Sequence, residues 1–378
     1  MLNKTIICVL PVLGQPRHAK RVSMLKQSGF KVKVAAFERD YHKGRLPDCP
    51  VVSLGKISKG KYLQRVGKLI VALPKLRKQI KQSDLIYAFG SDMAMASYVA
   101  GTGLKKPIIF ETGDVRSIQT SNKITGKLLR VFDRFITRAS KLIVVTSPDF
   151  VANYFKKYLG SNTPYLVLEN KIEPHLLHEY RKSKYAGNTI TNMQGKLAFH
   201  KIGYFGLLRC EWSWQVLELL AKTYPDDVVI EIAGLAVEPA DLVERVKEYP
   251  NIHYRGEFKS PDDLAGMYSG IDLVWGCQPS HDNNDVNFQS ALSNRLYESC
   301  FYQRPIINRA GSGNAKAAER LGIGKSVGGS TYDAIKELQE ISEQDMQVWK
   351  DNLSALPEKV YIYSTENDEL KNYIMSLC

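Results

Sequence analysis

The sequence predicts an α/β protein of two doubly wound, Rossmann-like domains in series. Three observations lead there. The chain has 378 residues, more than one hydrophobic core readily organises, so two domains are expected. Short apolar runs alternate with longer amphipathic segments, the pattern of parallel βα units. The cycle stops in a polar stretch, Arg181 to Lys196 with Gly187, Asn188, Asn192 and Gly195, and then restarts.

In the first half the strand candidates are Thr5–Leu13, Val32–Phe37, Leu85–Phe89, Pro107–Glu111 and Leu142–Thr146. Each is short, apolar and rich in β-branched or aromatic residues. Helical patterns separate them at Arg17–Gly29, Tyr62–Lys81, Met93–Gly101 and Thr125–Ala139, with Gly29 and Gly101 where helices are capped. The second half repeats the alternation. Strands are expected at Ile202–Phe205, Val228–Ala233, Ile252–Tyr254, Leu273–Gly276 and Pro305–Asn308, and helices at Trp214–Thr223 and Ala240–Tyr249. The tail, Asp345 to Cys378, carries Trp349, Leu353, Tyr361, Tyr363 and Tyr373 at helical spacing and is expected to pack back on the body. The expected domains are 1–180, 197–345 and a helical tail over 346–378. Sheets of this kind bind ligands at their carboxyl edges, so a cleft between the two domains is the expected site.

Composition narrows the class. Hydrophobic residues at 44% and charged residues at 24% fit a globular protein rather than a disordered one. No run approaches the roughly 18 apolar residues that cross a bilayer. Met1 and Lys4 precede an apolar run as in a signal peptide, but Pro11, Gly14 and Pro16 follow without a small-residue cleavage site, so a buried first strand is expected. The six cysteines are scattered with no CxxC pair, which fits reduced thiols in a cytosol and no metal site. Net charge is +13 and unevenly spread: residues 1–160 hold 30 Lys and Arg against 9 Asp and Glu, whereas 161–378 hold 22 against 30. A basic half points to an anionic surface or ligand.

The strongest motif runs from Leu292 through Ser293, Asn294, Arg295, Leu296, Tyr297 and Glu298 to Gln303-Arg304-Pro305-Ile306-Ile307. It reads as a short helix, a turn and a buried strand. This resembles the donor-site signature of the GT-B glycosyltransferases of family 4, which act with retention. The resemblance implies that Glu298 holds the two vicinal ribose hydroxyls of a nucleotide, a bidentate geometry suited to a carboxylate. It implies that Asn294 contacts the donor and that Arg295 lies near the diphosphate, standing where the family has Lys. Two positions depart from the pattern. Ser290 stands where the family has an acid facing the donor sugar, and Gln303 stands where its turn has Gly.

A second segment, Ile202 to Arg209, reads as a strand ending at Gly206, a loop bearing Arg209, then a helix from about Trp212. By the same resemblance, Gly206 admits the donor and Arg209 neutralises the leaving diphosphate, as developing charge on phosphate requires. The family's following Lys is replaced by Glu211, Trp212 and Ser213. In Asn251 to Phe258, Gly256 and Phe258 match the strand end whose backbone faces the nucleobase.

In the first half, Glu111 and Asp114 follow a central strand, and either carboxylate suits an acceptor hydroxyl, as orienting group or as base. Asp114 as a helix N-cap is the structural alternative. Gly14, Arg17 and His18, with Arg21, open the first helix and suit an acceptor phosphate at its N-terminus. Residues 56–81 hold nine Lys and Arg and no acid around an apolar stripe, and 116–141 hold seven against Asp133 alone. Helices of this kind suit an anionic membrane, with the apolar face packed inward and the cations outward to headgroups. The combined expectation is a metal-independent transferase, without cofactor, moving a sugar from a nucleotide-diphosphate sugar to a lipid-linked or saccharide acceptor at the cytoplasmic face of a membrane, in surface-polysaccharide assembly. Three alternatives stay open: an inverting transferase or sugar epimerase, favoured by Ser290; a non-catalytic partner subunit, favoured by the missing acid and Lys; and a nucleic-acid-binding protein. Charge supports the last, but interleaved aromatic and basic readout motifs are missing, so no nucleic-acid partner is expected.

Overall fold

The computed structural model describes residues 3–38, 46–57, 62–181, 196–280 and 285–377, the side chains of residue 16 and of residues 62–65 excepted. The chain divides into two compact units, Met1–Glu169 with Ser364–Cys378, and Asn170–Tyr363.

The first unit holds seven parallel strands in the order β3-β2-β1-β4-β5-β6-β7. These are β1 Thr5–Leu10, β2 Lys31–Glu38, β3 Val51–Lys56, β4 Leu85–Phe89, β5 Ile108–Thr112, β6 Leu142–Val145 and β7 Tyr165–Val167. In the middle of the sheet Cys8 of β1 stands opposite Val34 of β2 and Tyr87 of β4. Helices cover both faces of such sheets, so β4 and β6 are apolar and buried along their whole length. The second unit holds six parallel strands in the order β10-β9-β8-β11-β12-β13. These are β8 Lys201–Arg209, β9 Val229–Glu238, β10 Ile252–Tyr254, β11 Leu273–Trp275, β12 Ile306–Arg309 and β13 Gly324–Val327.

Two parallel, doubly wound sheets were the expected fold class. The strands absent from the sequence reading, β3, β7 and β13, all lie at sheet edges. An edge strand is half exposed and short, so its apolar pattern is weak; β13 reads Gly-Lys-Ser-Val. Two boundaries differ from those expected. The first unit ends at Glu169 rather than near 180, because Ile172 pairs with the Tyr361–Tyr363 segment and Tyr180 packs on Phe301 and Tyr302. The tail is divided rather than forming one body. The Glu343–Ala355 helix stays with the second unit, while the Glu366–Leu377 helix belongs to the first. There Leu370 and Ile374 are buried, and the Tyr373 hydroxyl donates to the Lys141 carbonyl at 2.8 Å. The expected linker lies outside the described residues over 182–195.

Candidate functional site

The second sheet reverses its winding between β8 and β11, since β9 and β10 lie on one side of β8 and β11 to β13 on the other. Loops diverge at such a switch point and leave a crevice for ligands. The Asn294–Phe301 helix sends Arg295 there. Its Nη1 donates to the Trp275 carbonyl at the end of β11 at 3.0 Å, and its guanidinium lies 5.3 Å from the centre of the Tyr204 ring on β8.

A second cation there was not recognised in the sequence. Arg309, the last residue of β12, sits 4.6 Å from the Trp212 ring centre and 6.0 Å from that of Phe288. Trp212 stacks in turn on buried Trp275 at 6.1 Å. Arg295 and Arg309 both act on the Cys277 thiol. Burial pushes that thiol well above its usual range, and the two guanidiniums oppose the rise. Arg209 is exposed, and β8 continues through it where the sequence suggested a loop. None of these three arginines pairs with a carboxylate among the described residues, although acids outnumber bases over 161–378. Unneutralised cations at a switch point make an anion site. The start of the Asn294–Phe301 helix adds to it. Exposed Asn294 opens the helix, and the Ser293 hydroxyl accepts from Asn314 Nδ2 at 2.7 Å instead of capping the first turn.

Beside these cations lies a floor without side chains. Gly206 of β8 pairs with Gly234 of β9, and the Gly234 amide donates to the Gly256 carbonyl beyond β10 at 2.8 Å. All three have positive φ, at 115°, 133° and 80°. A Cβ on Gly234 would stand 1.8 Å from the Gly206 carbonyl oxygen, whereas Cβ atoms on Gly206 and Gly256 would face open space. Gly234 thus lets the strands approach, and the outer two leave bare backbone for a flat ligand. Phe258, two residues on, is half-buried against the core of the second unit. Asn308, preceding Arg309, is fully buried with neither amide atom hydrogen-bonded among the described residues, which in a native protein calls for a ligand or water.

Glu298 lies one turn beyond Arg295 and is buried at 8% exposure. Its Oε2 accepts from the Tyr268 hydroxyl at 2.7 Å. Burial, then the Glu298 charge and this hydrogen bond, push the Tyr268 phenol far above its usual range. Ser290 is fully buried, on the short Val286–Ser290 helix, where Gly313 presses against its backbone. That burial removes it as an open contact for the donor sugar.

In the first unit the candidates separate. Glu111 is sealed in the core: its Oε2 accepts from Arg21 Nε at 2.9 Å and from the Tyr87 hydroxyl at 2.5 Å, and only 1% of the residue is exposed. It forms a structural ion pair, which corrects the expectation that it meets the acceptor, and Arg21 is spent with it. His18 is buried too, its ring 4.6 Å from that of Phe89. It too is withdrawn from any acceptor phosphate. Asp114 remains open, with 59% of its side chain exposed 3.7 Å from Arg17. Gly14 turns the chain after β1 at φ 85°, and Gly113 makes room for the Arg17 guanidinium, which a Cβ would meet at 1.5 Å. Arg17 and Asp114 thus form a small charged edge without Glu111 or His18, while Gly14 is buried in the turn.

Solved structures superpose on the whole chain. The complex of HepE from Anabaena with UDP and glucose aligns at a TM-score of 0.69 with 15% identity, covering 99% of this chain and 100% of that one. WaaG, a glycosyltransferase involved in lipopolysaccharide biosynthesis, aligns at 0.65 with 13% identity, covering 98% and 99%. This chain has the GT-B glycosyltransferase fold. In sequence it is 27% identical over 332 residues to the succinoglycan biosynthesis protein ExoL of Rhizobium meliloti (strain 1021), spanning 85% of this chain and 81% of ExoL. No family model matches the chain.

Within this GT-B fold the departure at Gln303 has a structural explanation. Gln303 adopts φ 53°, its amide donating to the Cys300 carbonyl at 3.3 Å, while Arg304 N–H donates to Ser299 at 2.9 Å. This is a Schellman helix ending with glutamine at the left-handed position where glycine is favoured. The turn geometry survives the substitution at the cost of strain.

Proposed function

We propose that this chain is a glycosyltransferase that moves a sugar from a nucleotide-diphosphate donor to a lipid-linked or saccharide acceptor in surface-polysaccharide assembly. It works at the cytoplasmic face of a membrane and needs no bound metal ion. One observation carries the reading: among the described residues, Arg295 and Arg309 stand without carboxylate partners at the switch point, beside the glycine floor and one helical turn from Glu298. The nucleobase lies on bare backbone at Gly206 and Gly256, and Glu298 accepts from the ribose hydroxyls. When the sugar–phosphate bond breaks, negative charge grows on the departing diphosphate. Arg295, Arg309 and Arg209 neutralise it from preorganised positions, in place of a divalent ion. In the first unit, Asp114, held by Arg17, orients the acceptor hydroxyl.

The HepE structure with UDP and glucose supports a uridine donor as the first to test, and the ExoL likeness supports a polysaccharide product. Thermal unfolding of the intact chain with a panel of nucleoside diphosphates and nucleotide-sugars tests the proposal. A ligand at 100 times its Kd stabilises the folded state by about 2.7 kcal/mol. A panel in which none raises the unfolding temperature and none is hydrolysed would overturn it.

A further inference from the structure

The Ile124–Ala139 helix is built inside out. Its inner face carries Gly126, Asp133, Ile136 and Thr137, all buried. Gly126 permits the approach of the Ser121 carbonyl, which a Cβ would meet at 2.3 Å. Asp133 accepts from Gln119 Nε2 at 2.6 Å and from the Tyr154 hydroxyl. The opposite face carries Ile124, Leu128, Val131 and Phe135, exposed at 76%, 64%, 59% and 44%. At the helical repeat these four fall within about 60° of arc. Tyr98 of the neighbouring Ser91–Ala100 helix meets Phe135 edge-on at 5.1 Å and is exposed as well, so the stripe continues onto a second helix.

Charge frames this stripe in one sign. Lys123, Lys127 and Arg138 are exposed and unpaired among the described residues. Arg130 and Arg134 turn inward to backbone carbonyls, of Gln119 and Ser121 and of Tyr158 and Leu159. The helix's one acid, Asp133, is sealed inside. The Tyr62–Lys81 helix repeats the arrangement, with Ile70 and Val71 exposed beside Lys78 and Lys81. The expected inward packing of the apolar stripe holds only in part on this helix: Leu76 is buried in a row with Ala72 and Ile80, whereas Val66 and Ile70 are exposed.

We infer that the Ile124–Phe135 face lies in the plane of an anionic lipid bilayer. Its apolar side chains enter the acyl boundary, and Lys123, Lys127 and Arg138 meet lipid phosphates. The inference rests on the membrane part of the proposed function and deepens it by assigning a surface and a mode, insertion rather than charge attraction alone. An apolar centre with a cationic margin and no exposed carboxylate on the helix complements lipid headgroups better than a protein surface of mixed charge. No helix among the described residues is long and apolar enough to cross a membrane, so contact would be in-plane.

The test is co-sedimentation of the intact protein with phosphatidylcholine vesicles, with and without phosphatidylglycerol, at low and high salt. The wild type is expected to bind the anionic vesicles and to keep part of that binding at high salt. Leu128→Ser with Val131→Ser, both on exposed positions, should cut partitioning at least about tenfold at either salt. Lys123→Gln, Lys127→Gln and Arg138→Gln together should cut it about tenfold or more at low salt and leave the salt-resistant part unchanged. Equal sedimentation of wild type and the Leu128→Ser, Val131→Ser variant overturns the inference. So does a wild type that ignores vesicles but forms a dimer which that variant loses, since the face then receives protein. Nucleotide-induced stabilisation, measured on the same samples, reports separately on the donor reading.

Discussion

Replacing Glu298 by alanine has two consequences that the structure separates. Within the protein, the Tyr268 hydroxyl, fully buried, loses its acceptor at 2.7 Å. An unsatisfied buried hydroxyl costs about 1–3 kcal/mol, and a unit of this size loses roughly 2–4 °C of unfolding temperature per kcal/mol. Alanine alone is therefore expected to lower the transition by about 2–12 °C. Adding Tyr268→Phe removes the stranded hydroxyl and should recover most of that loss. Toward the nucleotide, two hydrogen bonds from ribose hydroxyls to a carboxylate contribute about 1.5–3 kcal/mol each, so losing both weakens binding about a hundredfold or more. Isothermal titration of the tightest nucleoside diphosphate, in its ribose and 2′-deoxyribose forms, reads this directly. Wild type should discriminate strongly between the two; Glu298→Ala and the double variant should not, whatever their stability. A Glu298→Ala protein that prefers ribose as strongly as wild type would refute the ribose assignment, because the carboxylate would then do no more than hold Tyr268.

Other outcomes follow from single contacts. Gln303→Gly should stabilise the protein by about 0.5–1 kcal/mol, since relief of the left-handed strain exceeds the added entropy of glycine; Gln303→Ala keeps the strain, so equal unfolding temperatures for the two would count against it. Arg309→Ala should lower kcat/KM at least about tenfold while leaving nucleoside affinity intact, with Arg309→Lys intermediate because lysine keeps charge but not the stacking on Trp212; steady-state kinetics and nucleoside titration decide this. Burial opposes ionisation of Glu231, but hydrogen bonds from Arg255 and His253, with their charges, outweigh it and hold the carboxyl below its usual value. That stabilisation is present above the ordinary Glu range and is lost as pH falls through the folded value, so Glu231→Gln should cost about 1 kcal/mol near neutrality and nothing in acid. Urea unfolding across pH measures it; a cost that persists in acid would exclude the ionic origin.

Much of the fold could be read locally. The central strands are buried on both faces and so appear as unbroken apolar runs, and Leu85–Phe89, Ile252–Tyr254 and the Tyr62–Lys81 helix stand where their patterns put them. Among the edge strands β3, β7 and β13 did not show, because half their surface is free to be polar; Ile252–Tyr254, also at an edge, did. The proposed donor site was legible where its residues are neighbours in sequence, on the Asn294–Phe301 helix and at Gly206. Arg309, Gly234 and Asn308 were missed for a shared reason: each is an ordinary residue on its own strand, and becomes part of a site only through the strand beside it.

The same division marks what each level determines. The residues by themselves determine that two parallel α/β units form, that the first is basic, and that one helix carries a carboxylate one turn from a cation. Burial and pairing are decided in three dimensions. Glu111 and Asp114 are three residues apart and chemically alike, yet one is locked to Arg21 and Tyr87 while the other stays open to solvent. The Ile124–Ala139 helix is amphipathic on any reading of its sequence. Which side faces out depends on Gly126, Asp133 and their partners, because periodicity has no direction until a neighbour occupies one face.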